Sequence, residues 1–380
     1  MIISLNRLGE ELFTIGAVIF LTVFHNGCDA LKSEMMEFLD GVLPSSMLYT
    51  ESVDKADVVV FFCCSFTGER ENNTEGLIKE LQSKGKKVIV SGCFLPRFKK
   101  QFPDVEFVHR ADLPKYFEST FGITAMSHPS VTDCHDAQDT PIINIASGCL
   151  GHCTYCSIKQ VRGKLVSRPI PAILQRINQI ETCTKVKLVA QDVSAYGYDI
   201  QTSLPALLRS IWEEHPDLRI ELGNLNIQFV KGYTASDLEL FKYIDGNINL
   251  PVQSASNRVL KLMGRDYVVE DFYQLYEKLS DLHCRISTDI IAGFPTENED
   301  DHGTNLAFLR KYYLDFAQIF MFDPRPDTRA AMMTQIEVNT KERRTVELIT
   351  QFLSTYIGHN QLSIESIEKI QPYNTNIKIQ

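Results

Sequence analysis

The chain has 380 residues, a formal net charge of −10 and 44% hydrophobic residues. This length exceeds that of one small domain, and the composition is that of a folded protein in water, which excludes disordered and collagen-like classes. The negative charge gives no general attraction to nucleic acid, because such affinity depends on Lys and Arg displacing counterions. The early apolar run 15–24 is too short to span a bilayer and lacks a signal-peptide pattern. We therefore expect a cytoplasmic protein with reduced cysteines and no membrane partner.

The first part of the chain, residues 1–125, predicts a small parallel α/β sheet domain. Strands are predicted at Ala17–Phe24, Asp57–Phe62 and Lys87–Ser91, and helices at Ala30–Leu43 and Glu71–Gln82. Strands and helices that alternate in this way form a parallel sheet covered by helices. The polar composition of residues 126–140 then predicts a linker.

Residues 141–335 predict a second, larger α/β domain. Its strands are predicted at Ile142–Ile145, Val186–Ala190, Leu218–Leu222, Ile248–Leu250, Ile286–Ile291 and Ala317–Met321. The helices between them include Ile173–Ile180, Leu204–Trp212, Glu270–Leu282 and Asn305–Tyr312. Repeated βα units form a parallel barrel, and six units leave a (β/α)6 barrel open on one side, with active groups at the strands' C-terminal ends. Residues 336–380 predict a helical extension, with a helix at Lys341–Tyr356.

Three cysteines, Cys149, Cys153 and Cys156, stand in Ser-Gly-Cys-Leu-Gly-His-Cys-Thr-Tyr-Cys directly after the first predicted barrel strand. Structural zinc sites usually take four ligands in two Cys pairs, and no second pair lies nearby, although a zinc site or chance spacing remains an alternative. Three thiolates on a four-iron cluster leave one iron open to a further ligand. The spacing therefore favours an iron–sulfur cluster that is also catalytic.

Four further sequence blocks accompany this loop, at residues 161–169, 190–197, 250–260 and 287–295. With the cysteine spacing and Tyr155 before the last cysteine, they make the chain resemble the methylthiotransferase branch of the radical S-adenosylmethionine enzymes. The resemblance implies an open partial barrel of the TIM type. It also implies that the Cys149, Cys153 and Cys156 cluster binds S-adenosylmethionine and cleaves it reductively. The C-terminal β-barrel (TRAM domain) that most members carry is not expected in residues 336–380.

The same resemblance implies a second [4Fe–4S] cluster in the first domain. Its ligands would be Cys28, Cys64 and Cys93, each of which follows a predicted strand. Loops at the ends of neighbouring parallel strands lie side by side, so such residues can converge. Cys63 competes with Cys64, and buried structural thiols are the alternative for all three.

Several residues at or after the barrel strands are candidates for contact with S-adenosylmethionine. They are Tyr155, Gln191, Asp192, Gln253, Ser254 and Gly293. Polar groups and close backbone at strand ends suit a nucleoside and an amino-acid moiety. Each polar member could equally be a satisfied core residue.

The resemblance implies insertion of sulfur and a methyl group at an unactivated C–H bond, with electrons from a donor such as flavodoxin or ferredoxin. We expect a peptide or protein substrate, because the net charge is negative and no C-terminal barrel is expected. Modification of a transfer RNA adenosine is the alternative. A non-catalytic iron–sulfur binding or sensor protein is a third hypothesis.

Overall fold

The structure is a computed structural model that describes most of the chain. The described residues are 21–25, 29–42, 53–56, 58–65, 67–121, 140–180 and 184–360. Of the predicted cluster ligands, Cys28 lies outside these residues. The remaining predicted ligands can be placed in the fold.

The first domain contains a four-stranded parallel sheet in the order β1 (Leu21–His25), β2 (Val58–Cys63), β3 (Lys87–Gly92) and β4 (Glu106–Phe107). Four helices belong to its described residues: α1 (Asp29–Val42), α2 (Gly68–Ser83), α3 (Pro96–Gln101) and α4 (Leu113–Phe121). The three long strands lie within two residues of their predicted positions wherever the structure describes them. Sequence patterning missed β4, α3 and α4, which are all short.

The second domain contains six parallel strands in two groups of three. The first group is β5 (Ile142–Asn144), β8 (Lys185–Val189) and β9 (Arg219–Leu222), and the second is β10 (Asn247–Asn249), β11 (Arg285–Ala292) and β12 (Phe316–Met321). A bridge between Ile220 and Ile244 joins the two groups, so the strands follow chain order around an open barrel. A two-stranded antiparallel ribbon, β6 (Ala146–Ser147) and β7 (Val166–Ser167), follows the first strand. The predicted open (β/α)6 barrel is confirmed.

Nine α-helices are assigned after residue 140 in the described part of the chain. They are α5 (Ile158–Arg162), α6 (Ile170–Asn178), α7 (Leu204–Glu214), α8 (Ile227–Val230), α9 (Ala235–Leu238), α10 (Asn257–Met263), α11 (Val269–Asp281), α12 (Glu299–Lys311) and α13 (Val338–Asn360). Short 3-10 turns occupy Val53–Lys55, Arg110–Asp112, Val193–Ala195, Glu239–Tyr243 and Arg329–Met332. One side of the barrel strands packs on these helices, and Leu188, Ile220 and Ile290 are among the buried residues there.

The two domains share a hydrophobic core. Phe62 and Cys64, at the end of β2, pack in one cluster with Ile142 of β5 and Val189 of β8. Asp29, the first residue of α1, forms an ion pair with Lys187 of the barrel, Nζ to Oδ2 2.8 Å. The ends of the small sheet therefore lie against the first strands of the barrel.

Helix α13, the last one in the described residues, packs on the barrel rather than extending into solvent. Arg344 is buried and donates from Nη1 to Glu297 Oε1 at 3.0 Å and from Nη2 to Glu299 Oε1 at 2.8 Å. No helix in the described part of the chain is both long and apolar enough to cross a membrane. The expected domain limits at residues 125 and 140 border a stretch, 122–139, outside the described residues. These limits stay predictions.

Candidate metal centres at the mouth of the barrel

The predicted cluster loop follows β5 and β6 at the C-terminal end of the barrel strands. Cys149, Cys153 and Cys156 are all half-buried there. Gly151 lies between two of their sulfurs, since a Cβ on it would stand 3.2 Å from Cys149 Sγ and 3.7 Å from Cys153 Sγ. The Gly151 N–H also donates to Cys149 Sγ at 3.2 Å. Because glycine has no side chain, space is left beside the two thiols. A metal group bound to these sulfurs could occupy that space.

The donor chemistry of the loop suits iron. Within the described residues, no three His, Cys, Asp or Glu side chains are arranged to hold a single metal ion. A four-iron cluster does not require this, because each thiolate binds a different iron. Burial raises the pKa of the Cys156 thiol to about 12, and burial and the Asp192 charge raise the pKa of Cys149. Metal-free, both thiols hold their protons at neutral pH, and coordination to a metal ionises them.

The loop is held in place by the end of α10. Thr154 donates from its backbone N–H to Met263 O and from Oγ1 to Leu262 O, both at 2.8 Å. Gly264, which ends α10 in the left-handed conformation at φ +70°, lies close to His152, because a Cβ on it would stand 3.0 Å from His152 O. Ala330 N–H donates to Thr154 O at 2.9 Å from the other side. Distant segments thus fix the backbone between the cysteines.

Arg265, directly after this helix, contacts the loop itself. It donates from Nη1 to Cys153 Sγ at 3.0 Å and from Nη2 to Asn226 Oδ1 at 2.9 Å. Asn226 in turn donates to Asp192 Oδ2 at 3.2 Å. Sequence reasoning missed Arg265 and Asn226, because no local pattern marks either residue.

Two of the predicted cofactor contacts support the loop. Gln191 Oε1 accepts the Gly148 N–H at 2.8 Å, directly before Cys149. The buried Asp192 carboxylate accepts from Ser194, from Asn226 and from the Ala195 backbone. Burial raises the pKa of Asp192 above its ordinary value. Both side chains therefore have partners within the protein.

The other predicted contacts lie around the ends of β10 and β11. Tyr155 packs edge-on against Phe294, with ring centroids 6.4 Å apart. Gln253 has a φ of +64°, and Ser254 Oγ is buried and donates to Asn305 Oδ1 at 3.3 Å. Gly293 has a φ of +71°, and a Cβ there would stand 2.4 Å from Lys341 Cγ of α13. Direct contact with S-adenosylmethionine stays a prediction for these residues.

The structure brings Cys64 and Cys93 together at the end of the small sheet. Cys63 pairs with Gly92 across β2 and β3, so the next residue of each strand, Cys64 and Cys93, leaves the sheet at the same edge. Cys63 points into the cluster formed with α2 and α3, whereas Cys64 belongs to the cluster shared with the barrel. No disulfide joins any two described cysteines.

Two buried arginines from the barrel domain accompany these cysteines. Arg162 Nε donates to Cys93 Sγ at 3.0 Å. Burial lowers the pKa of the Arg325 guanidinium. A charge on the nearby Cys64 sulfur acts in the opposite direction. Sequence reasoning gave neither residue a role, although Arg162 stands in the block 161–169 compared with the family.

Comparison with protein families agrees with this geometry. The family model for the radical SAM superfamily matches residues 143–309, which include the cysteine loop and five barrel strands. The radical S-adenosylmethionine methyltransferase TsrM from Kitasatospora setae, solved with cobalamin and a [4Fe-4S] cluster, has a similar fold. Its TM-score is 0.53 at 11% identity, over 82% of this chain and 76% of that one. Over residues 143–309, the chain is similar to the radical S-adenosylmethionine superfamily.

The sequence relatives of the chain include methylthiotransferases. The threonylcarbamoyladenosine tRNA methylthiotransferase of Danio rerio is 30% identical, over 86% of this chain and 65% of the relative. The tRNA-2-methylthio-N(6)-dimethylallyladenosine synthase of Christiangramia forsetii is 26% identical, over 83% of this chain and 76% of the relative. The chain is thus similar to methylthiotransferases of these two kinds. It spans slightly less than two thirds of the length of the animal relatives it matches.

Proposed function

We propose that the protein is a radical S-adenosylmethionine methylthiotransferase with two [4Fe–4S] clusters. One cluster is held by Cys149, Cys153 and Cys156, and the other by Cys28, Cys64 and Cys93. The observation that carries the proposal is the cysteine loop at the open end of the barrel. There Gly151 leaves space between the sulfurs of Cys149 and Cys153, and Arg265 donates to Cys153 Sγ. The preference for Cys64 over Cys63 is supported by the side of the sheet on which each lies.

Held by Cys149, Cys153 and Cys156, the first cluster would supply the electron for reductive cleavage of S-adenosylmethionine and so the means to remove hydrogen from the substrate. The residues of this chain position and shield that chemistry. Thr154 and Gln191 hold the loop by hydrogen bonds, and Arg265 places a positive charge against a cluster ligand. A cation beside a thiolate favours its ionised form and offsets the negative charge of a cluster. A soluble donor such as flavodoxin or ferredoxin would deliver the electron in the cytoplasm.

For the substrate, we favour an adenosine of transfer RNA. The relatives named above carry names that describe action on transfer RNA, and the one at 30% identity is named for threonylcarbamoyladenosine. The peptide or protein substrate expected from the sequence finds no support among these relatives. That expectation rested on the expected lack of a C-terminal barrel and on the negative net charge, which does not exclude a local basic surface.

The test is anaerobic reconstitution with iron and sulfide, followed by reduction in the presence of S-adenosylmethionine. We expect about eight irons per chain for two four-iron clusters, release of 5′-deoxyadenosine, and loss of that release in Cys153→Ala. Cys284→Ala is the matched control, because Cys284 is also half-buried but lies outside both proposed sites. Full iron content without 5′-deoxyadenosine would contradict the enzyme and favour a non-catalytic sensor.

The substrate is tested by mass spectrometry of two pools incubated with the reconstituted enzyme. We expect the mass of an added methylthio group on an adenosine of transfer RNA from cells that lack the activity. Appearance of that mass only in candidate peptides would overturn the transfer RNA proposal and restore the peptide one.

A further inference from the structure

Arg162 joins the two proposed cluster sites. It ends α5, the helix that follows the cysteine loop, and the Cys149 N–H donates to the O of neighbouring Gly163 at 3.4 Å. Its guanidinium crosses into the first domain, where Nε donates to Cys93 Sγ at 3.0 Å and Nη1 donates to Glu34 Oε2 at 2.6 Å. The side chain is 1% exposed. A charge buried this deeply requires partners on all sides.

The partners that Arg162 has within the protein are incomplete. Its Nη2 is buried and has no hydrogen-bond acceptor in the described part of the chain. The nearby carboxylate, Glu34, is shared, because Arg110 also pairs with it. A buried donor without an acceptor costs about 1–3 kcal/mol, so such a group calls for an explanation.

Arg325 repeats this arrangement at the other cysteine. It follows β12 of the barrel and pairs with the buried Glu71 of α2, which is likewise shared, with Arg97. Arg325 Nε is buried and has no hydrogen-bond acceptor among the described residues. On its outer side, Arg325 Nη1 donates to Asp323 Oδ2 at 3.0 Å.

The partners of the buried charges near Cys64 and Cys93 are therefore incomplete. Two buried carboxylates, Glu34 and Glu71, are each shared by two arginines. Beside Cys93, the Glu34 carboxylate faces two guanidiniums, whereas Arg325 also pairs with Asp323 and Arg97 also pairs with Glu75. Within the described residues, Arg162 and Arg325 each keep an unused N–H donor. An anion that carries sulfur atoms as acceptors would satisfy both deficits.

We propose that Arg162 and Arg325 are positioning residues for the second cluster, whose sulfur atoms accept their unused N–H groups and whose negative charge their guanidiniums offset. This inference rests on the proposed function, which places that cluster at Cys28, Cys64 and Cys93. Since both arginines come from the barrel, the site is complete only when the two domains are docked. Hydrogen bonds to the sulfurs and local charge set the reduction potential of such clusters, so the arginines raise it.

The experiment isolates the second cluster in the full-length protein by replacing Cys149, Cys153 and Cys156 with Ala. After anaerobic reconstitution, we expect about four irons per chain and a midpoint potential measurable by electron paramagnetic resonance. Arg162→Gln and Arg325→Gln are then compared with Arg162→Lys and with Arg310→Gln. Arg310 is the control, because it lies on α12 and its side chain donates to Gln351 at the surface. Each Gln variant leaves the buried carboxylate paired with its other arginine, Arg110 or Arg97.

We expect the midpoint reduction potential of the cluster to be more negative in each Gln variant. The equilibrium constant for reduction should fall by a factor of at least ten, which corresponds to ~59 mV for a one-electron couple. Arg162→Lys, which keeps the charge, should recover part of the shift, and Arg310→Gln should show none. A Gln variant that loses the cluster also supports the proposal if the apo-protein of the variant unfolds at the same urea concentration as the parent. An unchanged midpoint potential in an intact cluster would overturn the proposal. So would loss of the cluster only from those Gln variants whose apo-protein unfolds at a lower urea concentration than the parent. If the parental triple-Ala protein binds no iron, the proposed second cluster itself fails.

Discussion

Arg265 and Cys153 are 112 residues apart in the sequence, yet Arg265 Nη1 lies 3.0 Å from Cys153 Sγ. The contact depends on α10, whose end holds the cysteine loop through Thr154. The barrel therefore supplies a fixed positive charge to one ligand of the proposed cluster.

Replacing Arg265 should impair the cluster without unfolding the protein. In Arg265→Gln we expect at least a tenfold fall in 5′-deoxyadenosine release, because a hydrogen bond to a charged group contributes about 1.5–3 kcal/mol. The cluster's paramagnetic resonance spectrum should change as well. Arg265→Lys should keep part of the activity. Parental spectra and rates in both variants would contradict a role for this contact.

A methyl group at position 151 should reduce cluster loading. In Gly151→Ala the added Cβ would lie 3.2 Å from Cys149 Sγ, where the proposed cluster binds. We expect iron to fall from about eight toward about four per chain, with the second cluster retained. Gly303→Ala is the matched control, because a Cβ there meets no heavy atom within 4 Å. Equal iron in the two variants would show that the space beside the sulfurs is not needed.

Variants of Gln191 distinguish a role in supporting the cysteine loop from direct contact with S-adenosylmethionine. Gln191→Ala removes the acceptor of the Gly148 N–H, a hydrogen bond of about 1 kcal/mol, so kcat for S-adenosylmethionine cleavage should fall about fivefold. Gln191→Glu keeps an acceptor oxygen and should retain more of kcat. Steady-state kinetics separate the two roles, because a raised KM with an unchanged kcat would instead favour direct contact.

The stability of the contact between α13 and the barrel should depend on pH through Glu297. Burial raises the pKa of this carboxyl to about 7, although Arg344 opposes the shift. The unfolded chain releases its proton at lower pH than the folded one, so stability falls as pH rises from about 4.5 to about 7. The loss would be as much as about 3 kcal/mol.

Urea unfolding of the apo-protein between pH 4.5 and 8 measures this dependence. Glu297→Gln should flatten the curve in that window, while Arg344 keeps Glu299 as a partner. An equally steep fall in the variant would mean that other groups carry the pH dependence.

The sequence by itself determined the framework of the protein. Apolar runs such as 186–190 and 286–291 placed the strands to within two residues, because period-two burial and run length are local properties of the chain. The spacing of Cys149, Cys153 and Cys156 within eight residues likewise fixed them on one loop. Short elements such as α3 and β4 contain too few residues to show a hydrophobic pattern, so the sequence did not predict them.

Only the tertiary structure decided what surrounds these cysteines. It put Cys64 rather than Cys63 on the side of the sheet that meets the barrel, and it brought Arg162 to Cys93 and Arg325 to Glu71. Such contacts join residues far apart in sequence, and a guanidinium that meets a sulfur or a carboxylate across a domain boundary leaves no periodic trace in the chain. They form because burying a charge is unfavourable unless packing supplies an opposite charge or an acceptor.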